Sequence, residues 1–76
     1  MEDLLAYIAK GLVDRPDEVR VEAFEEDDAL VLELSVAEDD TGKVIGRSGR
    51  TVNAIRSVMR ACGAKQGRRV LVDVID

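Results

Sequence analysis

Histidine and tryptophan are absent from these 76 residues, and cysteine, proline, tyrosine and phenylalanine occur once each. Each shortage removes a class of function. Without histidine there is no Ser-His-Asp relay and no histidine-based metal set, and a lone Cys62 gives neither a zinc cluster nor an internal disulfide. Cys62 therefore reads as a small buried apolar residue. Tyr7 and Phe24 lie far in sequence from the basic residues, so they form no aromatic platform of the kind on which recognition-motif sheets and OB barrels stack bases. No apolar run approaches the ~20 residues that a membrane-spanning helix needs. The opening MEDLLAYIAK starts acidic and lacks the basic segment of a secretory signal. The carboxylates of FEEDDA and AEDD read as turn and capping residues rather than acid–base pairs. The expectation is a cytoplasmic protein with no membrane insertion, no catalytic residues, no metal and no cofactor.

What is present favours one globular domain over residues 1–76: 46% of the residues are hydrophobic and 36% charged. The net charge of −5 hides a segregation. Residues 1–40 carry fourteen acidic and three basic side chains, whereas residues 41–72 carry eight basic and no acidic ones. A chain that should repel polyanions as a whole is thus expected to present a cationic surface locally.

Periodicity supplies the elements. Leu4, Leu5, Ile8, Ala9 and Leu12 share one face of a helix over 3–13, which Arg15-Pro16 stops. Val19, Val21 and Ala23 mark a strand over 19–24, EEDD a turn, and Leu30, Leu32, Leu34 and Val36 a second strand, the two forming an antiparallel hairpin. Asp39 or Asp40 caps a short helix running to about Ile45. A longer helix spans about Arg50 to Ala64, ending near Gly63, with Gly67 beyond as a turn residue. Val70, Val72 and Val74 face inward from a last strand over 69–75. Its connection to the second strand runs through two helices, so a right-handed crossover makes these two strands parallel neighbours. The predicted class is α+β, in the order α-β-β-α-α-β, with a three-stranded mixed sheet packed on three helices.

GKVIGRSGRT, residues 42–51, concentrates glycine and positive charge between two of those helices. Gly46 and Gly49 admit a close backbone approach, Lys43, Arg47 and Arg50 surround them, and the next helix presents its N-terminus. The spacing is not that of a Walker A loop, and G-x-G is missing, so the Rossmann fingerprint is excluded as well. What the residues describe is a phosphate-sized cationic seat beside an apolar patch. A bare G-x-x-G is by itself a weak signal, since both glycines also serve as simple turn residues.

VIGRSGRTVNAI resembles the KH-domain signature: IGxxG, then apolar residues three and six positions after the second glycine, here Ile45, Gly46, Gly49, Val52 and Ile55. Val52 stands where isoleucine is more usual. The element order over the whole chain is similar to the type II KH arrangement, with the G-x-x-G loop at 46–49. The freestanding size, the opening MEDLLAYIAKGLVDRPDEV and the closing GRRVLVDVID resemble the small bacterial single-KH-domain RNA-binding proteins of the KhpA family. That resemblance implies binding of single-stranded RNA, an RNA-chaperone or post-transcriptional regulatory role, a larger Jag-type KH partner (KhpB), and links to cell elongation and cell shape in some bacteria. It implies contacts by Lys43, Ile45, Gly46, Arg47, Ser48, Gly49 and Arg50, with backbone N–H groups from Gly46 to Arg50 meeting phosphate. It also implies a base groove floored by Ile45, Val52 or Ile55, walled by the Leu34–Val36 end of the second strand, with Lys65, Arg68 and Arg69 on the other side. The alternative left open is a KH-fold protein–protein adaptor with little RNA binding.

On the long helix, Val52, Ile55, Met59 and Cys62 form the core stripe, and Asn53, Arg56, Ser57 and Arg60 lie opposite. Ala54, Val58 and Ala61 form an apolar shoulder between the two. Either the first helix covers this shoulder or it is a two-fold dimer contact, as the family resemblance also implies for homodimers or exchange into a heterodimer.

Overall fold

Alternation and helical periodicity turn into packed elements in the computed structural model, which describes residues 1–75. Helix α1 spans Glu2–Leu12, with Glu2 and Asp3 in its first turn and Lys10 in its last, each complementing the helix dipole. Its Leu5 and Ala9 are fully buried. A 3-10 turn over Pro16–Glu18 begins on the proline and leads into strand β1, Arg20–Glu26. β1 pairs antiparallel with β2, Ala29–Ser35.

The hairpin is tighter than the sequence indicates. Glu25 and Glu26 are paired strand residues, opposite Leu30 and Ala29. Only Asp27 and Asp28 make the turn, and both have positive φ, 49° and 65°. That pair of values matches a type I′ turn, whose twist suits the flanking strands. Asp tolerates the left-handed region better than most side chains, which is why two carboxylates serve where Asn-Gly is commonest.

After β2 come a 3-10 turn at Glu38–Asp40, helix α2 at Thr41–Ile45, a second 3-10 turn at Arg47–Gly49, helix α3 at Arg50–Lys65 and strand β3 at Arg69–Ile75. β3 runs parallel to β2, and the sheet order is β1-β2-β3. The expected α-β-β-α-α-β order and mixed sheet are therefore observed. β2 is the middle strand, so the Leu34–Val36 end offers no free edge for a groove wall. The free edge on the α3 side belongs to β3.

Cross-strand rows Ala23–Leu32–Val72 and Val21–Leu34–Val74 face the helices. They meet Leu5, Ala9, Val44, Ile55 and Met59 in one core. Complete burial of a Leu or Met side chain contributes ~1.5–3 kcal/mol, against ~0–1 kcal/mol for an exposed ion pair. Leu5, Leu32, Leu34 and Met59 thus outweigh the four surface-reaching salt bridges.

Gly63 has a different role from the helix end expected of it. α3 continues to Lys65, and a Cβ on Gly63 would stand 2.8 Å from the Arg68 carbonyl oxygen and 3.3 Å from the Val70 Cβ. Its bareness sets how closely α3 lies on β3. The helix ends in a Schellman pattern, Arg68 N–H to the Gly63 carbonyl at 2.8 Å and Gly67 N–H to the Ala64 carbonyl at 3.1 Å. Cys62, expected to be buried, is half-buried on the flank of that stripe.

The turn gives a direct test. Replacing Asp27-Asp28 by Asn-Gly supplies the residues a type I′ turn prefers and removes two of a run of four carboxylates. Urea unfolding should show a gain of ~1 kcal/mol with an unchanged slope. A loss would mean that the two aspartates make contacts that hold the hairpin.

Candidate nucleic-acid interface

The loop between α2 and α3 owes its shape to backbone constraints at two glycines. Gly46 has φ 77° and ψ 171°, and a Cβ there would lie 2.7 Å from the Thr51 Cβ and 2.8 Å from the Thr51 nitrogen. Any side chain at 46 would therefore collide with the first turn of α3. Gly49 is left-handed at φ 75°, but a Cβ would meet only Asn53 Nδ2 at 3.7 Å, so its requirement is conformational. Ser48, between them, also has positive φ, 56°. These turns bring Arg47, Ser48 and Arg50 to the surface at the N-terminal end of a 16-residue helix, where the dipole adds positive potential. Among the described residues neither Arg47 nor Arg50 forms an ion pair.

The loop spends part of its own N–H supply. Gly46 N–H donates to the Gly42 carbonyl at 2.9 Å, Gly49 N–H to the Gly46 carbonyl at 3.2 Å, and Arg50 N–H to the Arg47 carbonyl. The expectation that every N–H from Gly46 to Arg50 meets phosphate is therefore narrowed: those three donors hold the loop in shape.

Lys43 is placed differently from the free loop cation of the sequence analysis. Its ammonium lies 3.0 Å from an Asp14 carboxylate oxygen and 3.4 Å from Asp40 Oδ1. Asp40 is the buried member, 2% exposed. It does not cap α2 with its side chain. Its Oδ2 instead accepts the Arg15 N–H at 3.0 Å, from a residue 25 positions earlier. Burial by itself pushes the Asp40 carboxyl up; the Asp14 and Arg15 N–H groups and the Lys43 ammonium together outweigh burial and hold it below the usual carboxylate value. Hydrogen bonds to Asp14 and then Asp40 raise Lys43 above the ordinary lysine value.

Of the expected apolar floor, Ile45 is half-buried, while Val52 and Ile55 are core residues. A residue outside the expected set takes their place beside the loop. Arg56, two turns into α3, donates from Nε to the Val72 carbonyl on the free edge of β3 at 3.1 Å, and its guanidinium reaches Asn53 Oδ1 at 3.4 Å. The signal was present in the sequence, since Asn53, Arg56 and Arg60 share the arc opposite the core stripe. What the sequence lacked was the strand edge those side chains face. The Arg56–Arg60 flank of α3 thus borders the β3 edge, and the two arginines line a cavity there with Val70, Leu71, Val72 and Asp73.

Lys65, Arg68 and Arg69 are not brought to the loop. Lys65 is the last residue of α3 and Arg68 and Arg69 lie just beyond it, one helix length of ~24 Å from its start. Arg68 pairs with Glu25 of β1 at 3.1 Å. Ala54, Val58 and Ala61 are exposed, so α1 leaves the shoulder uncovered. Among the described residues no helix is long and apolar enough to cross a membrane, and no carboxylate, histidine or cysteine group could hold a metal ion.

Two helices joined by a G-x-x-G turn and laid on a β1-β2-β3 sheet whose last two strands are parallel define a KH domain in the type II arrangement. Comparison with known proteins agrees: the family model for the KhpA/KhpB KH domain matches residues 2–74. The chain is 53% identical over 76 residues to the RNA-binding protein KhpA of Halalkalibacterium halodurans, covering all of both chains. It is 49% identical to the protein of that name from Clostridium acetobutylicum, over 99% of this chain and all of the other. It is 45% identical to that of Bacillus subtilis, over all of this chain and 94% of the other. The chain belongs to the KhpA/KhpB KH-domain family.

Asp40 sets a pH dependence whose sign follows from its lowered value. Its contribution to stability is complete above the unfolded carboxylate value, near 3.8, and is lost as pH falls through the lower folded value. Asp40→Asn should lower the melting temperature by several degrees at neutral pH and flatten the acid limb of the stability curve below about pH 4. An acid limb as steep as that of the parent chain would assign the dependence to other carboxylates.

Proposed function

We propose that this chain binds single-stranded RNA through the loop at residues 46–49. The observation that carries the reading is the coincidence of bare Gly46 and Gly49, Arg47 and Arg50 with no ion pair among the described residues, and the α3 N-terminus on one exposed turn. KH modules clamp about four nucleotides of backbone on such a loop. In this reading phosphates lie on the loop against Arg47, Ser48 and Arg50, and the bases turn toward Asn53, Arg56 and the free β3 edge, with Ile45 at the entrance. Lys43 acts from behind, holding α2 through Asp14 and Asp40. RNA that touches Lys65, Arg68 or Arg69 must run the length of α3. The relatives are named as RNA-binding proteins, which supports the same reading. With few aromatics, base discrimination is modest, which suits an RNA chaperone or post-transcriptional regulator working with a larger KH protein of the KhpB type.

Arg47→Asp with Ser48→Asp should abolish binding of a short unstructured RNA in fluorescence anisotropy and leave the circular dichroism spectrum unchanged. For the parent chain, neutralisation of three or four phosphates gives a slope of roughly −2 to −3 in log K against log salt. Full affinity in the folded double variant would leave the protein–protein adaptor as the better reading.

Self-association belongs to the same proposal. Val58 is 46% exposed between two small residues, Ala54 and Ala61, and a close helix–helix contact with a second copy or with a KhpB-type partner would cover it. Val58→Glu places a charge at the centre of that contact. Sedimentation equilibrium should find a dimer of the parent chain and a monomer of the variant; a parent chain that stays monomeric at high concentration removes the homodimer.

A further inference from the structure

The face of the sheet turned away from the helices carries two cross-strand rows that neither the loop nor the core uses. One is apolar: Phe24 opposite Val31, and Val31 opposite Leu71. Phe24 and Leu71 are 40% and 42% exposed, while Val31 between them is only 6% exposed. The neighbouring row is acidic: Glu22 opposite Glu33, and Glu33 opposite Asp73. Like charges directly opposite on a sheet repel, and among the described residues none of these three carboxylates has a salt-bridge partner. A cavity of about 350 Å³ opens over Phe24, Val31 and Leu71 and over the Glu33–Asp73 part of the acidic row. Glu26 also lines it, and Arg56 and Arg60 are the cations on its β3 rim, leaving Glu22 and Glu33 as the carboxylates farther from them. Of the cations that share this face, Arg20 is turned back onto the Asp17 and Val19 carbonyls, and Arg69 stands at the far corner of the sheet.

We infer that this face docks a cationic, apolar-anchored protein segment: one that sets a leucine or isoleucine into the Phe24–Val31–Leu71 row and lays lysine or arginine along the Glu22–Glu33–Asp73 row. Charge complementarity selects the occupant. Phosphate is repelled by three carboxylates in line, so a nucleic acid is disfavoured here, and the apolar row gives a purely electrostatic ligand no anchor. A strand added to the β3 edge is disfavoured as well, because the Val72 carbonyl on that edge is taken by Arg56. The surface meets the RNA reading only at its β3 rim, where Arg56 stands. Phe24, Val31, Glu22 and Glu33 lie on the side of the sheet turned away from the helices and the loop, so RNA and a protein segment can be held together.

The test uses the full 15N-labelled chain and a synthetic amphipathic helix of lysine and leucine. Two control peptides carry serine for leucine or glutamate for lysine, and a short unstructured RNA is titrated separately. The lysine–leucine peptide should shift the amides of Phe24, Val31, Glu33, Leu71 and Asp73, and the RNA those of residues 42–51. Phe24→Ser, and separately Glu22→Lys with Glu33→Lys, should each weaken the peptide by about tenfold or more while RNA affinity stays as in the parent. Glu33→Gln should weaken the peptide and raise the melting temperature, because it breaks the carboxylate row without altering the fold. Equal binding by the serine peptide would reduce the effect to diffuse charge and overturn the inference. So would peptide shifts confined to the Ala54–Val58–Ala61 strip, RNA shifts on this face, or a Glu33→Gln chain that melts below the parent.

Discussion

One buried carboxylate fixes where everything else sits. Asp40 receives the Arg15 N–H from the segment joining α1 to β1, and Lys43 closes the contact by bridging Asp40 and Asp14. α2 is too short to hold its own direction, since a helix of five residues is marginal in isolation. The carboxylate, with Val44 buried beside it, ties α2 to the α1–β1 connection and so aims the loop that follows. A buried charge is tolerated only when its hydrogen bonds are complete, and three segments of chain have to be in place for that. The loop's orientation is therefore coupled to the order of the whole helical layer.

Much of this was legible in the sequence, and the failures share a cause. Strand β2, strand β3 and the α3 stripe announced themselves because burial follows a fixed period along one element. The end of β1 did not: Glu25 and Glu26 look like turn residues, and only the positive φ of Asp27 and Asp28 shows that two residues are enough. Gly63 read as a terminator because a close approach between helix and strand leaves no local mark. Lys43 was assigned by charge and Arg56 was placed only on the arc opposite the core, yet their roles are set by partners remote in sequence, Asp14 for one and the Val72 carbonyl for the other. The G-x-x-G loop was the easiest part of the candidate site to find, since its requirements are carried by adjacent residues. Lys65, Arg68 and Arg69 were the hardest to place, since a helix length separates them from it.

The net charge of −5 describes neither side of this molecule. Six of the eight cations of residues 41–72 lie about the loop or along α3, and carboxylates of β1, β2 and β3 spread over the open sheet face. Screening at physiological salt acts over ~8 Å, less than the thickness of a helix laid on a sheet, so away from the β3 edge, where Arg56 and Arg60 stand beside Glu33 and Asp73, each side presents its own sign to an approaching molecule. A small acidic protein can thereby receive a polyanion on one side without its own carboxylates opposing the approach.

The two outer strands also bear on solubility. A three-stranded sheet leaves two rows of unpaired backbone groups, and such rows recruit further strands into aggregates. β1 carries Arg20, Glu22, Glu25 and Glu26, whose charges resist stacking against another chain. β3 is much more apolar, with five hydrophobic residues in seven. There the guanidinium of Arg56 occupies a carbonyl that an incoming strand would need. The side chain that the RNA reading turns toward a base is thus also a gatekeeper against amyloid-like pairing, and a neutral residue at position 56 would leave the most aggregation-prone edge of the fold open.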